Sequence, residues 1–226
     1  MQEIGDECVL DEVISRPDDG VLRTISQLEG DFLVLGAGGK MGPTVCRMLR
    51  RALDAVGGGQ RRVVAVSRFT SPSAALDLQR HGIETIGCDL LDREAVQRLP
   101  LMSNVIYMAG QKFGTSGQPE QTWAMNVLVP AIVAERYRDA RIVVFSTGCV
   151  YPLMPVAGRG AVEEDALTPP GEYAASCVGR ERMFGHAALR YGTRVLQFRL
   201  CYSIDLRYGV LLDVASRVSA GQPVDL

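Results

Sequence analysis

The stretch DFLVLGAGGKMG, residues 31–42, constrains this chain more than any other. It opens as a short apolar run of the kind that forms a buried strand, and glycine closes that run. Gly36, Gly39 and Gly42 recur at every third position, with Gly38 in addition. Helical periodicity starts at once in MGPTVCRMLRRAL (41–53), and Pro43 suits a first helical turn. Glycines let a backbone bend sharply and approach a pyrophosphate. The free N–H groups of the following helix then point at the anion. Alone, such a turn is a weak signal. Between a first strand and a helix, at the head of a βα series, it points to dinucleotide binding. A purely structural turn is the alternative. The candidate contacts are Gly36, Gly38, Gly39, Lys40, Met41 and Gly42.

The rhythm continues along the chain. RVVAVSR (62–68), IETIGCDL (83–90), NVIYMAG (104–110), ARIVVFSTG (140–148) and TRVLQFRLCY (193–202) read as further strands. Between them SAALDLQRHG, DREAVQRL, a long segment at about 120–138, and 172–192 read as helices, with a last helix in YGVLLDVASRVSAG. Continuous Val, Ile and Leu in the strands argue for a parallel sheet covered on both faces. The expected fold class is α/β, a doubly wound, Rossmann-like sheet. The expected organisation is an N-terminal helical arm at 1–30, a dinucleotide-binding domain at 31–200, and the start of a substrate lobe at 201–226. The arm reads as a packing or oligomer-contact element, because VLRTISQLEG has helical spacing and nothing chemical. The Pro- and Gly-rich segment 151–171 reads as a long loop, and loops of that length are often functional.

Charge and cysteine usage narrow the function. A net charge of −2 leaves no electrostatic footprint for nucleic acid or an anionic membrane. The six cysteines are scattered without a C-x-x-C pair, so no metal site is expected. Reduced, buried thiols suit a cytoplasmic setting. The acidic, polar N-terminus does not read as a signal peptide, and no apolar run reaches membrane-spanning length.

The end of the second strand chooses between dinucleotides. A carboxylate there would hold the adenosine ribose of NAD. Ser67 and Arg68 stand there instead, and a guanidinium suits a 2′-phosphate, so NADP is expected over NAD. A surface arginine is the plainer reading of Arg68. Asp89, followed by Leu90, can accept from an adenine amino group or simply close a turn. Ala109 and Gly110 end the fourth strand with side chains small enough for a ribose to approach.

With GAGGKMG, CDL, YMAG, Asn126, STGCVYP and EYAASC in this order, the chain resembles the extended short-chain dehydrogenase/reductase family. More narrowly it resembles the NAD-dependent epimerase/dehydratase group that acts on nucleotide sugars. The resemblance covers about residues 31–226. It implies that Thr147 and Tyr173 frame the nicotinamide and that Asn126 fixes the active-site helix. The family's lysine, which holds the nicotinamide ribose and lowers the tyrosine pKa, falls at Cys177. A phenol near pKa 10 is only about one part in a thousand ionised at pH 7, a deficit of roughly 4 kcal/mol. A thiol does not supply the missing charge. Three outcomes stay open: Arg180 or Lys112 substitutes, Tyr173 acts only as a neutral donor, or the site binds without turnover. A nucleophilic Cys177 is a further reading, although neither histidine forms a recognisable triad with it. The implied function is an NAD(P)-dependent oxidoreductase or epimerase/dehydratase acting on a sugar-like small molecule. The rival is a dinucleotide-binding regulator. The resemblance also implies a possible homodimer through the helices at 120–138 and 172–190. Family members carry a C-terminal substrate lobe, and here the chain reaches GQPVDL after one helix, so an incomplete lobe is expected.

Overall fold

The computed structural model describes residues 4–112 and 117–224. Six parallel strands form one sheet: β1 (Phe32–Leu35), β2 (Val63–Ser67), β3 (Glu84–Gly87), β4 (Asn104–Tyr107), β5 (Arg141–Thr147) and β6 (Arg194–Leu200). Their order is β3-β2-β1-β4-β5-β6. The sheet therefore grows outward from β1 in both directions, and its order reverses between β1 and β4. In-register pairs such as Leu35 with both Val66 and Tyr107 bring the C-terminal strand ends to one edge.

Burial explains the strand composition. β1 is buried at every position, and so is β2 up to Val66, as expected for strands covered on both faces. β6 is an edge strand whose Leu196 and Phe198 are exposed. One layer packs Phe32, Val34 and Ala65 against Cys46, Leu49 and Leu53 of α3 (Gly42–Ala55) and Leu78 of α4 (Pro72–Arg80). The opposite layer packs Leu33, Leu35 and Tyr107 against α5 (Arg93–Arg98), the helices after β4, and Phe184 of α8 (Gly171–Tyr191). The Tyr107 and Phe184 rings lie 5.0 Å apart.

The first residues form two helices, α1 (Glu7–Ile14) and α2 (Asp19–Gln27). Asp6 and Asp18 cap them by accepting from Val9 and Val21 N–H, each at 2.8 Å. A last helix, α9 (Val210–Ser219), follows β6. None of the described helices is long and apolar enough to cross a membrane.

The segment at 120–138, expected as one regular helix, is interrupted. It runs as α6 (Pro119–Trp123), a π turn (Ala124–Leu128) and α7 (Val129–Arg136). Pro130 has no N–H to donate to the carbonyl of residue 126, and its ring crowds that carbonyl. The turn before it widens, and Val129 N–H bonds the Ala124 carbonyl five residues back. Asn126 sits inside this wide turn.

Candidate dinucleotide and proton-transfer site

The glycine turn leaves β1 at the point where the sheet order reverses. Gly36 has φ +89°, and a Cβ there would stand 2.5 Å from the Ala109 backbone nitrogen at the end of β4. A Cβ on Gly42, the first residue of α3, would collide with the Ala37 carbonyl. A side chain at either position would force the two strand ends or the helix start apart. Gly38 lies against Ser67, so the turn also touches the end of β2. Gly36 and Ala37 N–H both donate to the Val66 carbonyl, at 2.9 and 3.1 Å. Lys40 and Met41 stand between the turn and α3.

A cleft of about 320 Å³ opens on this turn. Gly36, Gly38, Gly39, Ser67, Arg68, Asp89, Leu90, Ala109 and Gly110 line it, together with Phe69, Thr70 and Ser71. Arg68 is exposed and has no ion-pair partner among the described residues. Asp89 accepts from Leu91 N–H at 3.0 Å, so it closes a turn while facing the cleft. Phe69, which sequence reasoning missed, has φ +44° and packs into the α3 layer. Such a backbone is strained for a bulky residue, and strain of this kind gathers at ligand sites.

Thr147 ends β5, and its hydroxyl accepts from Cys149 N–H at 3.2 Å. Tyr173 lies in the first turn of α8, half-buried against Val150, Tyr151 and Cys177. The Cys177 thiol lies one turn along the helix, packed beside it. Cys177 is fully buried. Burial first, and then the Cys177 thiol, push the Tyr173 phenol above its ordinary range; Arg180 pulls the other way without offsetting them. Burial likewise raises the Cys177 thiol, so no nucleophilic thiolate is prepared there.

Arg180 does not run along the helix face toward Tyr173. It turns inward, with 6% of its surface exposed. It donates to the Phe145 carbonyl at 2.9 Å and to Asn126 Oδ1 at 2.7 Å. Asn126 Oδ1 also accepts from Gln111 N–H at 2.9 Å, while its Nδ2 donates to the Gln111 carbonyl and to Ser176 Oγ at 3.0 and 2.9 Å. The Arg180 guanidinium fills the space behind Gly110 where a side chain would otherwise stand. Lys112 is exposed, two residues further on.

The sequence profile of the NAD dependent epimerase/dehydratase family matches residues 32–205. The chain belongs to this family. Solved structures of similar fold include the UDP-glucose 4-epimerase of Thermus thermophilus with NAD, at 24% identity and TM-score 0.67, covering 86% of this chain and 64% of that one. WbmG of Bordetella bronchiseptica, solved with NAD and UDP, is 17% identical with TM-score 0.67, covering 87% and 62%. The UDP-glucuronic acid 4-epimerase of Bacillus cereus with NAD is 16% identical with TM-score 0.64, covering 87% and 65%. This chain thus spans between 62% and 65% of the length of those three proteins. No curated protein matches it.

Next to Thr147 lies a buried ionic network centred on Glu181, which sequence reasoning missed. Glu181 on α8, 4% exposed, accepts from Ser146 Oγ at 2.5 Å and from Arg199 Nε and Nη2 at 3.0 and 2.8 Å. Arg199 also reaches the Tyr151 hydroxyl at 2.6 Å and the Glu163 carbonyl at 3.1 Å. It therefore ties β6 and α8 to the segment after β5. The charged residues around Glu181 resemble any helix face, which is why it carried no signal.

Proposed function

We propose that this chain is a nicotinamide dinucleotide-dependent enzyme of the epimerase/dehydratase type, acting at an alcohol or carbonyl carbon of a sugar-like molecule, with nucleotide sugars as the substrate class. One observation carries the reading. The turn at 36–42 has backbone where side chains would stand, and it opens on a cleft at the reversal of strand order. The named neighbours, solved with NAD and in one case with UDP as well, support the same class.

A bound nicotinamide would supply the hydride acceptor and donor. The chain's residues do the rest. Gly36, Gly38, Gly39, Lys40, Met41 and the start of α3 at Gly42 hold the diphosphate. Ser67, Arg68, Asp89 and Leu90 hold the adenosine end, and Ala109 and Gly110 give the ribose room. Thr147 donates to the substrate oxygen. Tyr173, its phenol raised, carries a proton at neutral pH and acts as the donor. Arg180, behind Gly110, and Lys112 bring positive charge to that end of the cleft. Asn126 braces α8 against the segment after β4. Within the dinucleotide class we assign NADP over NAD, because Arg68 is uncommitted among the described residues and suits a 2′-phosphate.

A second reading is favoured by Cys177: dinucleotide binding that regulates, without turnover. A second copy of the chain is the partner we assign to an apolar groove of about 380 Å³ between α6–α7 and α8.

Calorimetric titration with NAD and NADP tests the core of this. Saturable binding is expected, tighter for NADP, with the difference removed by Arg68→Ala. Absence of heat with either at millimolar concentration would remove the reading. Turnover of a UDP-sugar that disappears in Tyr173→Phe would exclude the regulatory alternative.

A further inference from the structure

Residues 203–209 follow β6 and bring Tyr208 to the side chain of Lys40 in the glycine turn. Positive φ bounds the segment on both sides, +53° at Tyr202 and +108° at Gly209. It is closed on itself. Asp205 and Tyr208 form an antiparallel bridge, and Arg207 N–H donates to Asp205 Oδ1 at 2.9 Å. The Arg207 guanidinium also forks onto that carboxylate, Nε to Oδ1 at 3.1 Å and Nη2 to Oδ2 at 2.8 Å.

The same guanidinium reaches across the molecule. Its Nη1 donates to Oδ1 of Asp11, in α1, at 2.5 Å. The other Asp11 oxygen meets Arg47 of α3 at 2.9 Å, and Arg47 also pairs with Asp77 of α4. Arg51, one turn further along α3, grips Glu12 at 2.8 and 2.7 Å. The side chain of Asp205 is 8% exposed, so the cluster is partly withdrawn from water and weakly screened. Beside it, the Lys40 ammonium of the glycine turn stands 4.9 Å from the centre of the Tyr208 ring. That is within cation–π reach. Two distant segments, α1 and 203–209, thus meet beside the diphosphate turn. The family match begins at residue 32, after α1.

We propose that residues 203–209 are a latch over the diphosphate turn, held shut by Asp11 of the N-terminal arm through Arg207, with Tyr208 positioning Lys40 where diphosphate charge falls. The proposal rests on the dinucleotide reading. The latch lifts for a dinucleotide to enter or leave, so the arm sets the rate of exchange. Tyr202 and Gly209 are its hinges.

Hydrogen exchange and stopped-flow fluorescence of the reduced dinucleotides test it on the full chain. In Asp11→Asn without ligand, amides at 203–208 are expected to exchange about tenfold faster, equivalent to roughly 1.4 kcal/mol. Arg207→Gln breaks the same contact from the other side and serves if the first variant misfolds. Reduced dinucleotide should leave either variant about tenfold faster than wild type, and also enter faster. Unchanged exchange at 203–208, or unchanged dissociation in variants whose wild type binds, overturns the latch and leaves the dinucleotide reading standing. A wild type that binds neither reduced dinucleotide overturns both.

Discussion

Cys177 follows Tyr173 by one helical turn, and its thiol offers the phenol a neutral, polarisable neighbour where a cation would stabilise the phenolate. The consequence is electrostatic. Both groups are withdrawn from water, both resist ionisation, and the charge of Arg180 is committed to Asn126 and the Phe145 carbonyl. The difference ultraviolet titration of wild type against Tyr173→Phe should therefore place the Tyr173 midpoint above the ordinary 10.0. In Cys177→Lys the midpoint should fall by at least about one unit, since one unit corresponds to about 1.36 kcal/mol and a close ammonium supplies that. A wild-type midpoint at or below 10.0 would mean that burial and Cys177 do not raise this phenol, and one near 7 would sink the neutral-donor role. The Tyr-to-Cys spacing made the pair visible in the sequence. The destination of Arg180 was not visible, because its partner Asn126 lies 54 positions away on another element. Helical spacing states which residues share a face and leaves open whether a long side chain turns into the core.

Elements were legible where one physical rule dominates. Runs such as FLVL and VVAV, short, wholly apolar and rich in Val and Leu, suit strands buried on both faces, and Gly36 closes the first of them. The π turn was not legible in the periodicity, since Trp123 to Ala134 stays largely apolar; only Pro130, read as a missing donor, points to it. That wide turn matters twice. It carries Asn126 inward, and it turns Trp123, Val127 and Leu128 toward the groove beside Met183 of α8. Trp123 and Leu128 are 39% and 42% exposed. The Trp123 indole donates to Glu172 at 2.5 Å, which fixes the ring beside the groove. If a second copy covers this face, sedimentation should report twice the monomer mass, and Leu128→Glu should yield a monomer by burying an unpaired charge. Its circular dichroism should be unchanged, because Leu128 contributes little to the core. Wild type sedimenting as a monomer at high micromolar concentration removes the assignment.

Over the whole molecule, the sheet separates two packed layers, and each holds groups that keep their protons. Cys46, in the α3 layer, is pushed up to about 12 by burial. Tyr137, in the opposite layer, is also pushed up to about 12, and burial raises Tyr107 and Tyr173 too. The arm and the segment 203–209 brace one side of this body, a long-range tie that nothing in either segment's own sequence announced. The raised groups share one sign. Each binds its proton more tightly folded than unfolded, so their stabilising contribution is complete below the unfolded values, 9.0 for cysteine and 10.0 for tyrosine. As pH rises past those values the unfolded chain releases protons that the folded chain keeps. Stability then falls by about 1.4 kcal/mol per pH unit for each such group. The urea midpoint should be level between about pH 7 and 8.5, begin to fall near 9, and drop steeply from 10 toward 12. Tyr137→Phe separates this from general charge repulsion. It loses the hydrogen bond to the Pro100 carbonyl, so its stability starts about 1 kcal/mol lower, yet its alkaline slope should be shallower by one group. A midpoint that stays level to about pH 11, or an equal slope in both proteins, would mean that these phenols and thiols reach water before the fold gives way.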